Sequence, residues 1–394
     1  MGGVSVVVAT RCARYDPVEV EGALRRLLAP LGGMAAFVQP GERIALKPNL
    51  LMGAPPEKAV TTHPDVVAAV ALAVREAGGE PVLMESPGSG IPYSAAALRR
   101  VYRRTGMTAM AERIGLELNL DTRVRAVSHP DAKLTKRLDV LTPLLEVDGV
   151  ISLPKLKTHY FMIFTGAVKN LFGVVPGFAK PGYHAKLGDP RRFADMLLDI
   201  VSFVRPRLSV MDAVVGLEGD GPGTAGRPRE IGALLASPDP VALDAAACAL
   251  VGIPGEQVPT LATARERGLW SGSYPDVVWL GENPEALRVQ GFVVPRSATG
   301  SAGMGPGPVL DRVAGSLMRE LFSARPRPRR GRCTGCGTCE RACPRQAITV
   351  HENLAYVDDD RCIRCYCCHE LCPEAAIDLE LGRMGRALRR VGLR

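Results

Sequence analysis

Lysine is scarce in this chain. Among 394 residues, Lys and Arg total 49 and only nine are Lys, so arginine is the default cation. Long apolar runs are missing too. The longest, Val66 to Val74, falls far short of the roughly 20 residues a membrane-spanning helix needs, so no membrane span is expected. The first ten residues carry no basic stretch ahead of an apolar core, as a secretory signal would. They read as a first strand, and a cytoplasmic location is expected. No P-loop and no nucleophile triad is evident, and the lone Gly88-Ser89-Gly90 is too weak to make a nucleotide loop. The many arginines come without aromatic or groove-reading motifs, so nucleic acid is not an expected partner.

What is abundant is cysteine in one place. Of eleven, eight fall into two copies of C-x2-C-x2-C-x3-C-P: Cys333, Cys336, Cys339, Cys343-Pro344 and Cys362, Cys365, Cys368, Cys372-Pro373. Three closely spaced thiolates wrap one face of an iron–sulfur cubane, and the fourth of each run reaches across to the other cluster. This assigns Cys333, Cys336, Cys339 and Cys372 to one [4Fe-4S] cluster and Cys362, Cys365, Cys368 and Cys343 to a second. Tetrahedral zinc would need only separated pairs, not a third cysteine at the same step. The stretch 332–380 resembles a bacterial-type two-cluster ferredoxin. The spacing of radical enzymes, C-x3-C-x2-C, is absent. Cys12, Cys248 and Cys367 are left over, too scattered for a disulfide framework. Cys367 fits no ligand slot; it is a spare small residue or a competing ligand.

Between Cys333 and Glu380 nine acids face four arginines, and five arginines flank the stretch on each side. That pattern serves charge balance or docks an acidic redox partner protein.

Elsewhere short apolar runs alternate with amphipathic ones. Strands are expected at 4–9, 43–47, 81–85, 124–127, 137–141, 148–153, 208–214 and 231–236. Helices are expected at 17–31, 65–77, within 94–115, at 191–204, 239–251 and 309–322, with one helix and two strands between 257 and 295. This alternation means βαβ units. The fold class is α/β, a mainly parallel sheet with flanking helices, plus a small C-terminal α+β two-cluster ferredoxin-like domain. The domains divide as 1–296, a linker with one helix at 297–331, the cysteine module at 332–380 and a basic tail at 381–394. Residues 154–188, rich in Gly, Lys and aromatics, read as a long functional loop around a short helix at 166–172, and 217–230 as a Gly-rich loop.

Five of the nine lysines fall in that window: Lys155, Lys157, Lys169, Lys180 and Lys186, with His159 and His184. An arginine-biased chain that keeps lysine there points to a compact, titratable amine. Ligands bind beyond the carboxyl ends of strands in open α/β sheets. Lys47, Ser86 to Gly90, the Lys155–His159 stretch, and Asp212 with Glu218 and Asp220 all follow expected strands. If those strands are parallel, the four groups share one edge. Thr61-Thr62-His63-Pro64 caps the helix that follows, offering N–H groups to an anion.

The stretches Lys47 to Leu50 with Thr61 to Pro64, Pro154 to His159, Thr165 to Gly173, Met211 to Pro222 and Ser237 to Asp244 resemble a known family, the domain of unknown function numbered 362. The resemblance runs over most of residues 4–255 and implies an α/β fold associated with iron–sulfur redox chemistry. The leading expectation is an oxidoreductase relaying single electrons to an anion- or carbonyl-binding site. Lys47, Lys155, Lys157 and Lys169 would supply positive charge, His159 and His184 would donate protons, and Asp212, Glu218 and Asp220 would act as base or metal ligands. A small anionic substrate is the expected ligand. The alternatives are a non-catalytic electron-transfer protein and a maturation or sensing protein with structural clusters.

Overall fold

Alternation along the first strand sets the layers. In β1 (Ser5–Arg11), Val7 and Ala9 enter one apolar layer and Val8 the other, as the two-residue period of a strand requires. The computed structural model describes residues 5–88, 90–177, 179–270, 277–295 and 324–380. The expected helix at 309–322, most of the expected linker and the basic tail at 381–394 lie outside the described residues.

The chain continues through β2 (Arg43–Pro48), β3 (Glu80–Leu83), β4 (Glu117–Leu118), a separate antiparallel pair β5 (Val124–Ser128) and β6 (Arg137–Leu141), and then β7 (Gly149–Leu153), β8 (Lys155–His159), β9 (Ile163–Thr165), β10 (Leu208–Gly219), β11 (Gly226–Ser237) and β12 (Val277–Gly281). Ten of these form one sheet in the order β12-β1-β11-β10-β7-β2-β3-β4, with β8 on β10 and β9 on β8. The run β10-β7-β2-β3-β4 is parallel, as are β8 on β10 and β12 on β1. Only β11 and β9 pair antiparallel within the sheet.

Helices cover both faces. Pro17–Leu28, Pro64–Glu76, Ala95–Arg104 and Met107–Ile114 bury Leu24, Val70, Leu98 and Met110 on one side. Pro190–Val204, Pro240–Leu250 and Pro259–Glu266 bury Leu197, Leu243 and Leu261 on the other. Asp16, Asp189 and Asp239 cap three of these helices through their side chains, each followed by proline, the pairing of cap and first-turn proline the sequence announces.

Two expected loops are strands. Lys155 to Thr165 holds the β8–β9 hairpin, and 217–230 is the tip of the β10–β11 hairpin. Apolar patterning misses β8 because it is buried along its whole length while three of its five side chains are Lys or His. The end of the linker expected at 297–331 also holds a strand. β13 (Arg325–Pro328) pairs antiparallel with β16 (Ile377–Glu380), beside the hairpin of β14 (Ile348–His351) and β15 (Leu354–Val357). The C-terminal module therefore begins before residue 332. Arg325 and Arg327 pair with Asp359, and Arg329 with Asp378. These arginines balance the module's own acids.

The module packs onto the large domain. Ala342 and Leu371 join Met52, Ala54, Ala59, Val60 and Leu217 in one apolar cluster. Tyr160 meets Tyr366 edge to face at 4.9 Å. The Thr224 hydroxyl donates to the Cys372 carbonyl (2.6 Å), and His369 bridges the carbonyls of Ile377 (2.6 Å) and Asp220 (3.0 Å). Gly223 and Gly90 admit the approach: a Cβ on the first would overlap the Glu370 carbonyl, and on the second the Ala342 backbone.

Candidate active site at the carboxyl edge of the sheet

The parallel pairing of β10, β7, β2 and β3 brings their carboxyl ends to one edge, where the scarce lysines collect. Lys47 ends β2, and its ammonium donates to Glu85 beyond β3 (2.9 Å), to the Pro48 carbonyl (3.1 Å) and to Asn170 Oδ1 (3.3 Å). Burial lowers the Lys47 pKa and Glu85 opposes the shift. A Cβ on Gly173 would overlap both partners, so only glycine fits over this pair.

Alternation along β8 turns Lys155, Lys157 and His159 toward the same side. Lys155 donates to Asp212 Oδ2 (2.9 Å) and to the Tyr15 hydroxyl (2.7 Å), while Tyr15 donates to Asp212 Oδ1 (2.8 Å). The backbone N–H of His63, at the head of the Pro64–Glu76 helix, donates to Asp212 Oδ2 (2.9 Å). The anion expected at that helix start is the protein's own Asp212. The His63 ring stacks on Tyr15 at 3.7 Å.

Among the described residues Lys157 has no carboxylate in hydrogen-bond contact. Its ammonium donates to Asn49 Oδ1 (2.7 Å) and the Val60 carbonyl (2.8 Å). Burial first, and then Lys169 and Lys155, push its pKa well below the usual range. Lys180 donates to the carbonyls of Ser86 (2.5 Å) and Pro87 (2.6 Å), and burial brings its pKa to about 7. Lys169, at the end of the short Ala167–Asn170 helix, is lowered by burial and raised by Glu370 and Cys367 nearby. Asp244 holds that helix in place by accepting the N–H groups of Ala167 (2.5 Å) and Val168 (3.1 Å). Lys186, by contrast, faces solvent and stands apart from the group.

His159 Nδ1 accepts the N–H groups of Phe161 (3.1 Å) and Met162 (3.3 Å), so the proton of the neutral ring sits on Nε2. Burial, then Lys169 and His184, hold its pKa well below the usual histidine range. His184 lies among Phe161, Phe172 and Phe193, with ring centroids 4.5 to 6.2 Å away, and burial lowers its pKa to about 3. Neither matches the sequence expectation of a proton donor at neutral pH, because the surroundings disfavour the imidazolium form. Burial brings both Lys180 and Asp244 to about 7, from opposite directions.

Glu218, expected with Asp220 at a second metal site, is engaged by the protein's own groups. Glu218 accepts from Arg227 (3.4 Å) and from the Val293 N–H (3.0 Å). Among the described residues no three His, Cys, Asp or Glu side chains converge on a single ion.

The cysteine module closes over this edge. Its short helix Cys367–Glu370 sets Glu370 Oε1 at 3.3 Å from His159 Nε2. Burial raises the Glu370 pKa, opposed by Lys169, His369 and Lys157. Glu370, Glu85 and Tyr15 are site residues that sequence reasoning did not single out, whereas Asn49, Asn170 and Asp244 lie inside the family-like stretches without a role assigned to them. Glu370 carried a signal of another kind, since it sits inside a ligand run without being a ligand.

The thiols sort as the spacing suggests. One pocket is lined by Cys333, Cys336, Cys339 and, from the other run, Cys372. Cys339 is raised to about 11 by burial, with Cys372, Cys336 and Cys333 adding to the effect. Cys362 is raised by burial, with Cys365 and Cys343 adding to the effect, and Cys368 by burial, with Cys365, Cys362, Cys339 and Cys343 adding. The lined pocket draws one member, Cys372, from the opposite run, as a cubane's donor set does. Cys336, of the first group, is exposed, whereas Cys368 is buried among apolar residues of the module. Cys367 is buried between Cys365 and Lys169.

Comparison with known proteins agrees with the two-part reading. A model for the family described as "Domain of unknown function (DUF362)" matches residues 44–249, and one for a "4Fe-4S dicluster domain" matches residues 332–376. A thylakoid-associated protein of Synechocystis sp. is 36% identical over 293 residues, spanning 74% of this chain and 88% of the relative. Two solved structures are more distant. One, from Thermotoga maritima, is 14% identical with a TM-score of 0.39 over 61% of this chain and 60% of its own. The other, a lactate racemase apoprotein from Thermoanaerobacterium thermosaccharolyticum, is 10% identical with a TM-score of 0.40 over 63% and 57%. The chain spans about six tenths of each of those structures, and neither likeness bears on activity. Among the described residues no helix is long and apolar enough to cross a membrane.

Proposed function

Because the chain belongs to the DUF362 family, whose description assigns no reaction, we propose its function from the geometry: an oxidoreductase in which two [4Fe-4S] clusters feed a small anionic or carbonyl-bearing substrate held at the buried lysine edge. One observation carries this reading. The helix Cys367–Glu370 belongs to the second cysteine run and also forms a wall of the lysine-rich edge, through Glu370 against His159.

When bound, the clusters supply single electrons, received from a redox partner protein. Cys333, Cys336, Cys339 and Cys372 would hold one and Cys362, Cys365, Cys368 and Cys343 the other. Lys157 and Lys169 attract negative charge in a water-poor setting, where such attraction is strongest. The neutral His159 ring offers its Nε2–H as a hydrogen-bond donor without giving up the proton, and Lys180 passes a proton near neutral pH. The Lys47–Glu85 and Lys155–Asp212 pairs fix the surrounding framework.

The test starts with anaerobically purified full chain, measured for iron, sulfide and the EPR spectrum after dithionite. About eight iron and eight sulfide are expected, with signals of two interacting clusters. The reduced protein is then mixed with small oxo acids such as pyruvate and oxaloacetate, and reoxidation is followed by visible absorbance. Lys157→Met and Lys169→Met should keep the clusters and lose reoxidation. Stoichiometric zinc without sulfide would overturn the reading. Unchanged reoxidation in both variants would favour a carrier whose large domain only recognises a partner.

A further inference from the structure

The seam between module and large domain holds a local mismatch of charge and hydrogen bonding. Lys157 and Lys169 bring two amines to the seam, and Glu370 brings one carboxyl group, with its Oε1 3.3 Å from His159 Nε2. The direct hydrogen bonds of Lys157 go to neutral oxygens. β8 and β9 pair Lys157 with Thr165. The buried polar atoms without a hydrogen-bond partner include Thr165 Oγ1, His159 Nε2 and Glu370 Oε1, with His184 Nδ1 close by. Buried polar atoms are normally satisfied, and buried charges normally paired. Glu370 lies near enough to His159 for attraction and is not aligned to bond it. It also rides on a four-residue helix of the module rather than on the sheet.

We infer that the pocket of Lys157, His159, Thr165 and Lys169 is a binding site for the carboxylate of a small organic acid, and that Glu370 occupies it in the docked state as an intramolecular competitor. The inference rests on the substrate site proposed above and narrows its ligand class. A ligand carboxylate would take the Nε2–H of His159, the hydroxyl of Thr165 and the charge of Lys169, and would displace the helix that carries Glu370. Substrate entry and loosening of the module beside Cys368 then become one event.

The experiment uses cluster-loaded full chain with acetate and oxalate as probes and chloride as the control, at fixed ionic strength. Hydrogen exchange of residues 366–372 should rise with either carboxylate and not with chloride. By calorimetry Glu370→Gln should bind oxalate about tenfold more tightly than the unsubstituted chain, the effect of removing a competitor. Lys169→Met should abolish binding in both. The idea is overturned if exchange of 366–372 ignores carboxylates, or if Glu370→Gln binds no more tightly. Should Glu370→Gln fail to fold, the exchange measurement on the unsubstituted chain and on Lys169→Met still decides. Iron and sulfide content, measured on the same samples, reports separately on the redox reading. A chain without clusters that still binds oxalate would sink the electron relay and keep this site.

Discussion

His159 Nε2 in β8 and Glu370 Oε1 in the second cysteine run lie 3.3 Å apart, and both are buried. This contact joins the large domain to the module through a single charged group. Removing the histidine takes away the polar group nearest to the buried Glu370 carboxyl. Losing a polar neighbour of a buried group costs about 1 to 3 kcal/mol, and part of that loss should appear as undocking. His159→Phe is therefore expected to raise hydrogen exchange across 366–372 and to lower the thermal midpoint, with iron content unchanged. His159→Gln, which retains an N–H donor, should recover part of the loss.

Asp212 is the hub of a second network, accepting from Lys155, Tyr15 and the His63 N–H. Asp212→Asn leaves the Lys155 ammonium buried without a counter-charge, and a loss of about 3 to 5 kcal/mol is expected. Lys155→Met alone should be similarly harmful. The double variant should be less destabilised than the sum of the two, because the uncompensated charge is gone. Denaturant unfolding of the four proteins gives the coupling. Strict additivity would mean that the pair contributes nothing.

Gly223 tests the docking itself. A Cβ there would overlap the Glu370 carbonyl, while Thr224 beside it holds the Cys372 carbonyl. Gly223→Ala should push the module off the large domain and leave the thiols in place. Hydrogen exchange of residues 366–372 should rise while the visible absorbance of the clusters persists. Equal exchange rates would show that the seam absorbs the methyl.

The cross-run thiols give a stoichiometric prediction. Cys372 lies with Cys333, Cys336 and Cys339. Cys372→Ser should lower iron from about eight to about four per chain, as expected when one of two four-iron clusters loses a ligand. Cys343→Ser should remove the other half. Cys367→Ser should leave iron unchanged if it is a spare residue, and a change in the EPR signal would make it a ligand.

Acid should act through His184. Its pKa falls from 6.5 to about 3 on folding because burial disfavours the charged ring. Between those values the unfolded chain binds more protons, so stability is full above about pH 6.5 and declines as the pH falls toward 3. The full loss is about 5 kcal/mol. Asp244 has the opposite sign. Burial raises it from 3.8 to about 7, so its contribution is full below pH 4 and is lost as the pH rises through 7. His184→Phe should flatten the acid limb of a plot of thermal midpoint against pH, and Asp244→Asn should flatten the decline toward pH 7. A His184→Phe plot parallel to that of the unsubstituted chain would rule out this histidine as the cause.

The sequence by itself determined whatever depends on spacing along the chain. Two cysteine runs with equal steps specify cluster thiols, because a cubane accepts three close ligands and one distant one. Apolar runs between capped helices specify a parallel sheet, and the rarity of lysine marked Lys47, Lys155, Lys157 and Lys169 before any fold was in hand. Tertiary structure decided which of these groups meet. It made β8 a buried strand, so that Lys155 pairs with Asp212 and Lys157 meets only neutral oxygens. It turned His159 and His184 from expected proton donors into neutral rings, since burial penalises charge. It also brought Glu370 against His159 across 211 positions of chain. No local pattern encodes that contact, because it depends on how two separately folded surfaces fit.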